Sequence, residues 1–286
     1  MPGARTPTLA AVQLLGERAW FGIAVACYGL AAAHALLLWR QGFRRGAALN
    51  YAILAAGFVC HALALMGRGF SLNRCPVTNL FEAAMFTSWA LCAAHLALGF
   101  WSRARISGLV LAPLLFATGI FALQPQLDRP GPVFDLEHAA VSLHVSLVLL
   151  AYAGFGFGAM AGVFYLVRRH GAGQDTPTLR SLAEHLPAIS LLEGWLLRSV
   201  GTGLILLTAG LTLSLGLMRE RYGVLVRPDP KIAWSFFVWA VYFALMLVCL
   251  RIRREPRFLA WGALGGFAFV LLTFWGTNLM SPIHHP

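Results

Sequence analysis

Residues 139–167 read AAVSLHVSLVLLAYAGFGFGAMAGVFYLV, a run without a formal charge that is long enough to cross a bilayer as one helix. The imidazole of His144 lies near the first end of this run. Ligand-type side chains are costly inside a membrane, so His144 is a candidate for a functional site. The structural alternative is a histidine that hydrogen-bonds a neighbouring helix.

The composition of the whole chain is as apolar as this run suggests. Of 286 residues, 59% are hydrophobic and 12% are charged, and the mean hydropathy is +0.71. A soluble domain carries roughly a quarter charged residues, so a polytopic membrane protein is predicted. The net charge of +11 then indicates membrane topology and contact with lipid headgroups. No nucleic-acid partner is predicted, because no basic run is interleaved with aromatic residues.

Further apolar runs along the chain predict an all-α bundle of about eight transmembrane helices, within one domain over residues 1–286. The predicted spans are 19–39, 47–67, 77–101, 106–123, 139–167, 195–218, 232–250 and 258–281. Basic residues between the spans favour, by a small margin, an orientation with both termini outside the cytoplasm. The basic loop 219–231, which this orientation places outside, argues against it.

Two shorter patterns predict how the helices begin and pack. Thr176 and Pro177 offer a cap and a first-turn proline, and apolar residues from Leu179 to Leu192 predict a short interfacial helix before the sixth span. Small residues let helices approach closely. Those expected to do so are Gly154, Gly156, Gly158, Gly162, Gly201 and Gly203.

The start of the third span carries a capping pattern. Asn79 stands three residues before Glu82, which is typical of an N-cap with a reciprocal carboxylate. A Glu82 carboxylate beside a bound cofactor is the alternative.

The cysteines do not point to a disulfide framework or a zinc site. There is no CxxC pair, and all but one of the cysteines lie in apolar segments, where they act as small hydrophobic side chains. The five are Cys27, Cys60, Cys75, Cys92 and Cys249.

The histidines fall at informative places on the predicted topology. His144 lies near the outer end of the fifth span, and His284 and His285 follow the eighth span on the same side. Two imidazoles on one face, from helices distant in sequence, could ligate a haem iron from both sides. A solvated tail is the alternative for His284 and His285. His138 could substitute as an outer ligand, and His61 is a further, intramembrane candidate.

Three runs carry a family resemblance. PVTNLFEAAMFTSW (76–89), LHVSLVLLAYA (143–153) and GTNLMSPIHH (276–285) resemble the runs PxSNxYESxxFxSW, MHVSxMLLSYA and GVNLLxxGLHSY of the CcsA/ResC-type cytochrome c assembly family. The resemblance implies an eight-helix, haem-handling protein of the bacterial inner (cytoplasmic) membrane with haem b as cofactor. It also implies that His144 is the first haem-iron ligand and His284 or His285 the second. The implied partners are an assembly subunit or apocytochrome c.

The haem-facing loop of that family, WGxxWxWDPK, aligns without gaps with YGVLVRPDPK at 222–231. Tyr222 and Asp229 are therefore candidate cofactor contacts. The three tryptophan positions hold Tyr222, Val226 and Pro228, which predicts weaker stacking on a porphyrin. Leu247 stands where the family has an intramembrane histidine. This loop and the run DPKIAWSFFVWAVY (229–242) look closer to the HemX-like and YpjD-like branch.

The sequence leaves three functions open. The first is a haem-binding component of cytochrome c assembly, and the second is a non-catalytic membrane regulator or scaffold without haem. The third is a small-molecule permease, which the intramembrane position of His61 would favour. No Ser/His/Asp set, phosphate loop or pair of carboxylates in a span occurs, so no enzyme activity of the chain alone is predicted. Thioether chemistry in a complex would belong to haem vinyl groups and client thiols.

Overall fold

The computed structural model describes residues 16–41, 47–72, 76–77, 79–100, 102–128, 139–171, 177–252 and 256–280. Every regular element in these ranges is helical. Eight of the described helices are long and apolar enough to cross a membrane. The predicted all-α, multi-pass class is thereby confirmed, whereas the orientation of the termini stays a prediction.

The helices follow one another in two compact units, residues 1–129 and 130–286. The first unit contains α1 (Glu17–Arg40), α2 (Ala48–Leu72), α3 (Leu80–Gly99) and α4 (Gly108–Ala122), with 3-10 segments at Ser102–Ser107 and Pro125–Leu127. The second contains α5 (Ala139–Gly171), α6 (Pro177–His185), α7 (Ile189–Tyr222), α8 (Pro230–Ile252) and α9 (Pro256–Met280). The single domain over 1–286 stays a prediction, because packing into units does not decide whether each folds alone.

The core of the first unit lies where α1, α2, α3 and the end of α4 meet. Apolar side chains from the four helices meet here, and those of α1 and of α3 are spaced one helical turn apart. They are Phe21, Val25, Ala64, Phe81, Met85 and Ala122. Phe21 and Phe81 meet edge to face, with ring centroids 5.5 Å apart. Close packing of these side chains therefore holds the helices together.

An ion-pair network closes one end of the same unit. The Arg68 guanidinium of α2 lies 3.0 Å from Glu82, 3.3 Å from Glu17 and 2.5 Å from Asp128. Arg18 adds a second contact to Asp128 at 2.6 Å. The network therefore joins α1, α2 and α3 to the chain that follows α4.

The Asn79 cap predicted at the start of α3 is confirmed. The Asn79 Oδ1 accepts the Glu82 backbone N–H at 2.8 Å, so Asn79 is the N-cap. The Glu82 carboxylate also accepts a hydrogen bond from the Arg68 Nε at 3.0 Å.

The second unit is built around α5. In the most apolar stretch of α5, 72% of the residues are buried, against 28% or less in the corresponding stretches of α7, α8 and α9. Glycines allow this helix to lie close to its neighbours, as predicted for Gly154, Gly162 and Gly203. A Cβ on Gly154 would lie 3.1 Å from the Cα of Gly203 in α7, and one on Gly162 would lie 3.0 Å from the Ala260 carbonyl oxygen in α9.

Polar side chains also join the helices of this unit. The indole N–H of Trp234 donates to Thr273 at 2.7 Å, which links α8 to α9. The indole N–H of Trp239 donates to Thr208 at 2.9 Å, which links α8 to α7. In a bilayer, where apolar burial alone favours no particular helix pair, such bonds select the partners.

The segment before the sixth span differs from its prediction. The short helix does start at Pro177 but ends at His185, and α7 begins at Ile189, six residues before the predicted span. Pro187 explains the break, because it lacks an N–H for a continuing helix. The Ala188 carbonyl then accepts the Leu192 N–H at 3.1 Å and starts α7. Thr176 lies outside the described residues.

Candidate functional site

His144 projects from α5 towards α7. Its side chain is half-buried, and its Nδ1 lies 2.7 Å from the carbonyl oxygen of Gly210. A carbonyl oxygen only accepts, so the Nδ1 carries the proton and donates it. The Nε2 then keeps its lone pair. This is the form of histidine that ligates metals.

Gly210 allows the close approach that this bond needs. A Cβ at Gly210 would lie 2.9 Å from the Val148 side chain and 3.6 Å from the His144 carbonyl oxygen. A larger residue would therefore displace the Val148 side chain one turn along α5 from His144. The carbonyl that accepts the Nδ1–H hydrogen bond thus lies where α5 and α7 pack closely.

The start of α8 is capped by Asp229. The Asp229 Oδ1 accepts the backbone N–H groups of Lys231 at 2.9 Å and of Ile232 at 3.1 Å, so Asp229 is the N-cap of α8. Asp229 is 5% exposed. Asp229 therefore has a structural use as an N-cap, and Lys231 lies within electrostatic range of His144.

Tyr222 lies away from His144. Gly223, with φ of +70°, takes the left-handed conformation that ends α7. Tyr222 stands about 18 Å of helix rise beyond Gly210, and the Arg227 guanidinium covers its ring at 5.0 Å from the centroid. The described contacts do not bring Tyr222 to His144. The following residues Val224, Leu225 and Val226 are exposed.

His61 belongs to the first unit, where it is fully buried in α2. Its Nδ1 lies 3.0 Å from the Tyr28 hydroxyl oxygen, and its ring packs on Phe21 with centroids 5.0 Å apart. This packing gives the histidine a structural role in joining α1 to α2. Its use as a cofactor contact stays a prediction.

The other predicted ligands lie outside the described residues; they are His138, His284 and His285. Among the described residues, no group of three or more His, Cys, Asp or Glu side chains could hold a metal ion. A haem iron differs in needing only two axial ligands from the protein.

The sequence did not single out Gly210 or Lys231 as site residues. Gly210 contributes a backbone carbonyl, which leaves no side-chain signal beyond a small residue in a span. Lys231 directly follows the Asp229-Pro230 pair, and a cation at the start of a span was the available signal.

Comparison with known proteins extends these observations. Residues 77–285 match the family model described as Cytochrome C assembly protein. The chain is 24% identical over 274 residues to the "Cytochrome c biogenesis protein CcsA" of Microcystis aeruginosa, covering 80% of this chain and 84% of that protein. The protein of the same name from Synechococcus elongatus is 25% identical over 277 residues, with 82% and 85% covered. That of Gloeobacter violaceus is 24% identical over 333 residues, with 96% and 95% covered.

Proposed function

The chain belongs to the cytochrome c assembly protein family, and on this premise we propose that it holds haem b at the outer face of the bacterial inner membrane during cytochrome c assembly. His144 and either His284 or His285 would hold the haem iron. The partner that receives the haem is an apocytochrome c or an assembly subunit at that face.

The hydrogen bond from His144 to Gly210 carries this proposal. An imidazole whose Nδ1–H donates a hydrogen bond to a backbone carbonyl is oriented, and its Nε2 is available to a metal. Haem, when bound, supplies the iron for axial coordination and the vinyl groups that react with cysteine thiols. His144 would bind the iron, and Lys231 would offer a positive charge to anionic groups of the cofactor.

Optical spectra of the purified protein test the role of His144. The protein in mild detergent, supplied with haem and reduced with dithionite, is expected to give a Soret band and a sharp α band. His144→Ala should lose the sharp α band, because one axial ligand is removed. His170→Ala is the matched control: this histidine lies in the same helix, and its Nδ1 bonds the Leu166 carbonyl at 2.9 Å. Its spectrum should be unchanged.

Single substitutions of His284 and His285 to alanine identify the second ligand. One of the two should lose the α band as His144→Ala does, and the other should keep it. Full spectra in both single variants, and in the double variant, would contradict ligation by the C-terminal histidines.

A membrane regulator or scaffold without haem is the second candidate. The exposed aliphatic residues Val224, Leu225 and Val226 favour it, since they offer no flat aromatic surface to a porphyrin. Well-folded protein that takes up no haem at micromolar concentration, with a spectrum identical to that of His144→Ala, would select this candidate.

A further inference from the structure

The short segment 223–229 joins α7 to α8, and its depth in the membrane follows from the two helices. The run 199–218 of α7 and the run 232–250 of α8 carry no charged residue, and Arg219 and Lys231 are the first charged residues beyond them. Helical runs of these lengths rise about 30 and about 28 Å. They match the hydrocarbon core of a bilayer, which is about 30 Å thick. The segment between them therefore lies in the headgroup layer.

The tip of this segment is apolar and exposed. Val224, Leu225 and Val226 expose 46%, 56% and 54% of their surface. They directly follow Gly223, whose left-handed conformation ends α7 and turns the chain. Three consecutive aliphatic side chains are costly to leave in water. In the headgroup layer they can bury their methyl groups at the boundary with the acyl chains.

Positive charges surround the apolar tip. Residues 219–227 contain Arg219, Arg221 and Arg227 against the single carboxylate of Glu220. The guanidinium groups of Arg221 and Arg227 lie 5.9 Å and 5.0 Å from the centroid of the Tyr222 ring. One aromatic ring thus gathers two like charges beside the tip. Phosphate groups, which arginine binds through paired hydrogen bonds, would compensate these charges.

We propose that residues 219–227 anchor the second unit to an anionic phospholipid surface. The aliphatic tip enters the boundary with the acyl chains, and the arginines bind the headgroup phosphates. Charge complementarity favours anionic over zwitterionic lipid, because each basic residue at an anionic surface adds attraction. Three aliphatic side chains offer far less than the roughly 800 Å² per partner that a stable protein interface buries. The inference holds on either face of the membrane, and it does not depend on haem ligation by His144.

Hydrogen–deuterium exchange of the full protein in nanodiscs tests this anchor. The discs contain phosphatidylcholine alone or an equimolar mixture with phosphatidylglycerol. The amides of residues 224–227, which lie outside the helices, should exchange about fivefold more slowly in the anionic discs at low salt. High salt should reduce this difference, because it screens exposed charges. Leu225→Ser should restore fast exchange, since the tip loses its largest apolar group.

The arginines are tested by the affinity for phosphatidylglycerol, measured by native mass spectrometry. Arg219→Gln and Arg227→Gln should each weaken the affinity about fivefold and speed the exchange of residues 224–227 in the anionic discs. Arg180→Gln is the matched control: it removes one exposed arginine of α6 and should leave the exchange of this segment unchanged. The two test variants are examined separately, so that misfolding of one leaves the other to decide.

Two results would overturn the anchor. Equal exchange in the two kinds of disc, with no effect of Arg219→Gln or Arg227→Gln, would exclude an anionic lipid surface. Equally slow exchange in detergent micelles without lipid would show that this chain or a second copy covers the tip.

Discussion

At the scale of single residues, Arg68 is the side chain on which the first unit depends most clearly. It is 14% exposed and pairs with Glu82, whose side chain is 0% exposed. A buried carboxylate is tolerated only while its charge is compensated. The pair therefore specifies the packing of α2 against α3.

Arg68→Met should lower the free energy of unfolding by about 3–5 kcal/mol, since the buried Glu82 carboxylate loses the cation that compensates its charge. Thermal unfolding in mild detergent measures the loss. Arg180→Met is the control: Arg180 and Glu184 form an exposed pair one turn apart at 3.4 Å, so a change below about 0.5 kcal/mol is expected. The double variant Arg68→Met, Glu82→Leu should recover much of the stability. If it were as unstable as the single variant, the loss of charge compensation at Glu82 would not be the cause.

Prediction from sequence succeeded at single residues where the signal is local. The Asn79 cap follows from a spacing of three residues. The Arg68 partner of Glu82 does not, because the two residues lie on different helices and no periodicity joins them. A hydrogen bond from His144 to a neighbouring helix was one of the two alternatives for this residue. Its acceptor could not be predicted, because a backbone carbonyl is present at every residue whatever its type.

At the scale of helices, the start of α8 depends on the Asp229 cap. Asp229→Ala should destabilise the protein by about 1 kcal/mol, because two backbone N–H groups lose their acceptor. Asp229→Asn should be close to neutral, since an amide oxygen accepts the same bonds. Thermal unfolding gives the stability, and haem titration of the same samples adds a second readout. Loss of haem affinity in Asp229→Asn at full stability would show that the charge itself serves the cofactor.

The contact of α5 with α7 makes a separate prediction. Gly203→Ala should cost about 1–3 kcal/mol, because a Cβ would lie 2.7 Å from the Phe155 ring and 3.0 Å from the Ala151 carbonyl oxygen. Gly216→Ala in the same helix meets nothing within 4 Å and should be neutral or stabilising, since alanine is the better helix former. Both are measured by thermal unfolding. Equal effects of the two substitutions would contradict a packing role for Gly203.

The helices themselves were predicted better than their ends. Hydropathy locates the apolar part of each span, but a helix extends for as long as its backbone N–H and C=O groups form helical hydrogen bonds. Helix α7 therefore begins at Ile189 and ends at Tyr222, beyond the predicted 195–218 at both ends. Where a backbone signal exists, as at Pro187 and Gly223, it marks the boundary correctly.

At the scale of the whole molecule, the distribution of arginine favours the cytoplasm for the segment after α5, where Arg168 and Arg169 stand. Alkaline phosphatase fused after Pro286 should therefore be active, and the same enzyme fused after residue 174 should be inactive. A fluorescent protein at the two positions should give the opposite pattern in a bacterial host. The reverse result at both positions would place the termini in the cytoplasm and move His144 to the inner face.

The helices differ widely in length. Helix α4 has 15 residues and continues directly from the six-residue 3-10 segment Ser102–Ser107, so this helical stretch is about 34 Å long. Helix α7 has 34 residues, or about 50 Å. A typical hydrocarbon layer is about 30 Å thick, so it is close to the first length and falls well short of the second. A few ångströms more or less of acyl chain should therefore leave α7 unaffected, because its helix already extends beyond the hydrocarbon layer.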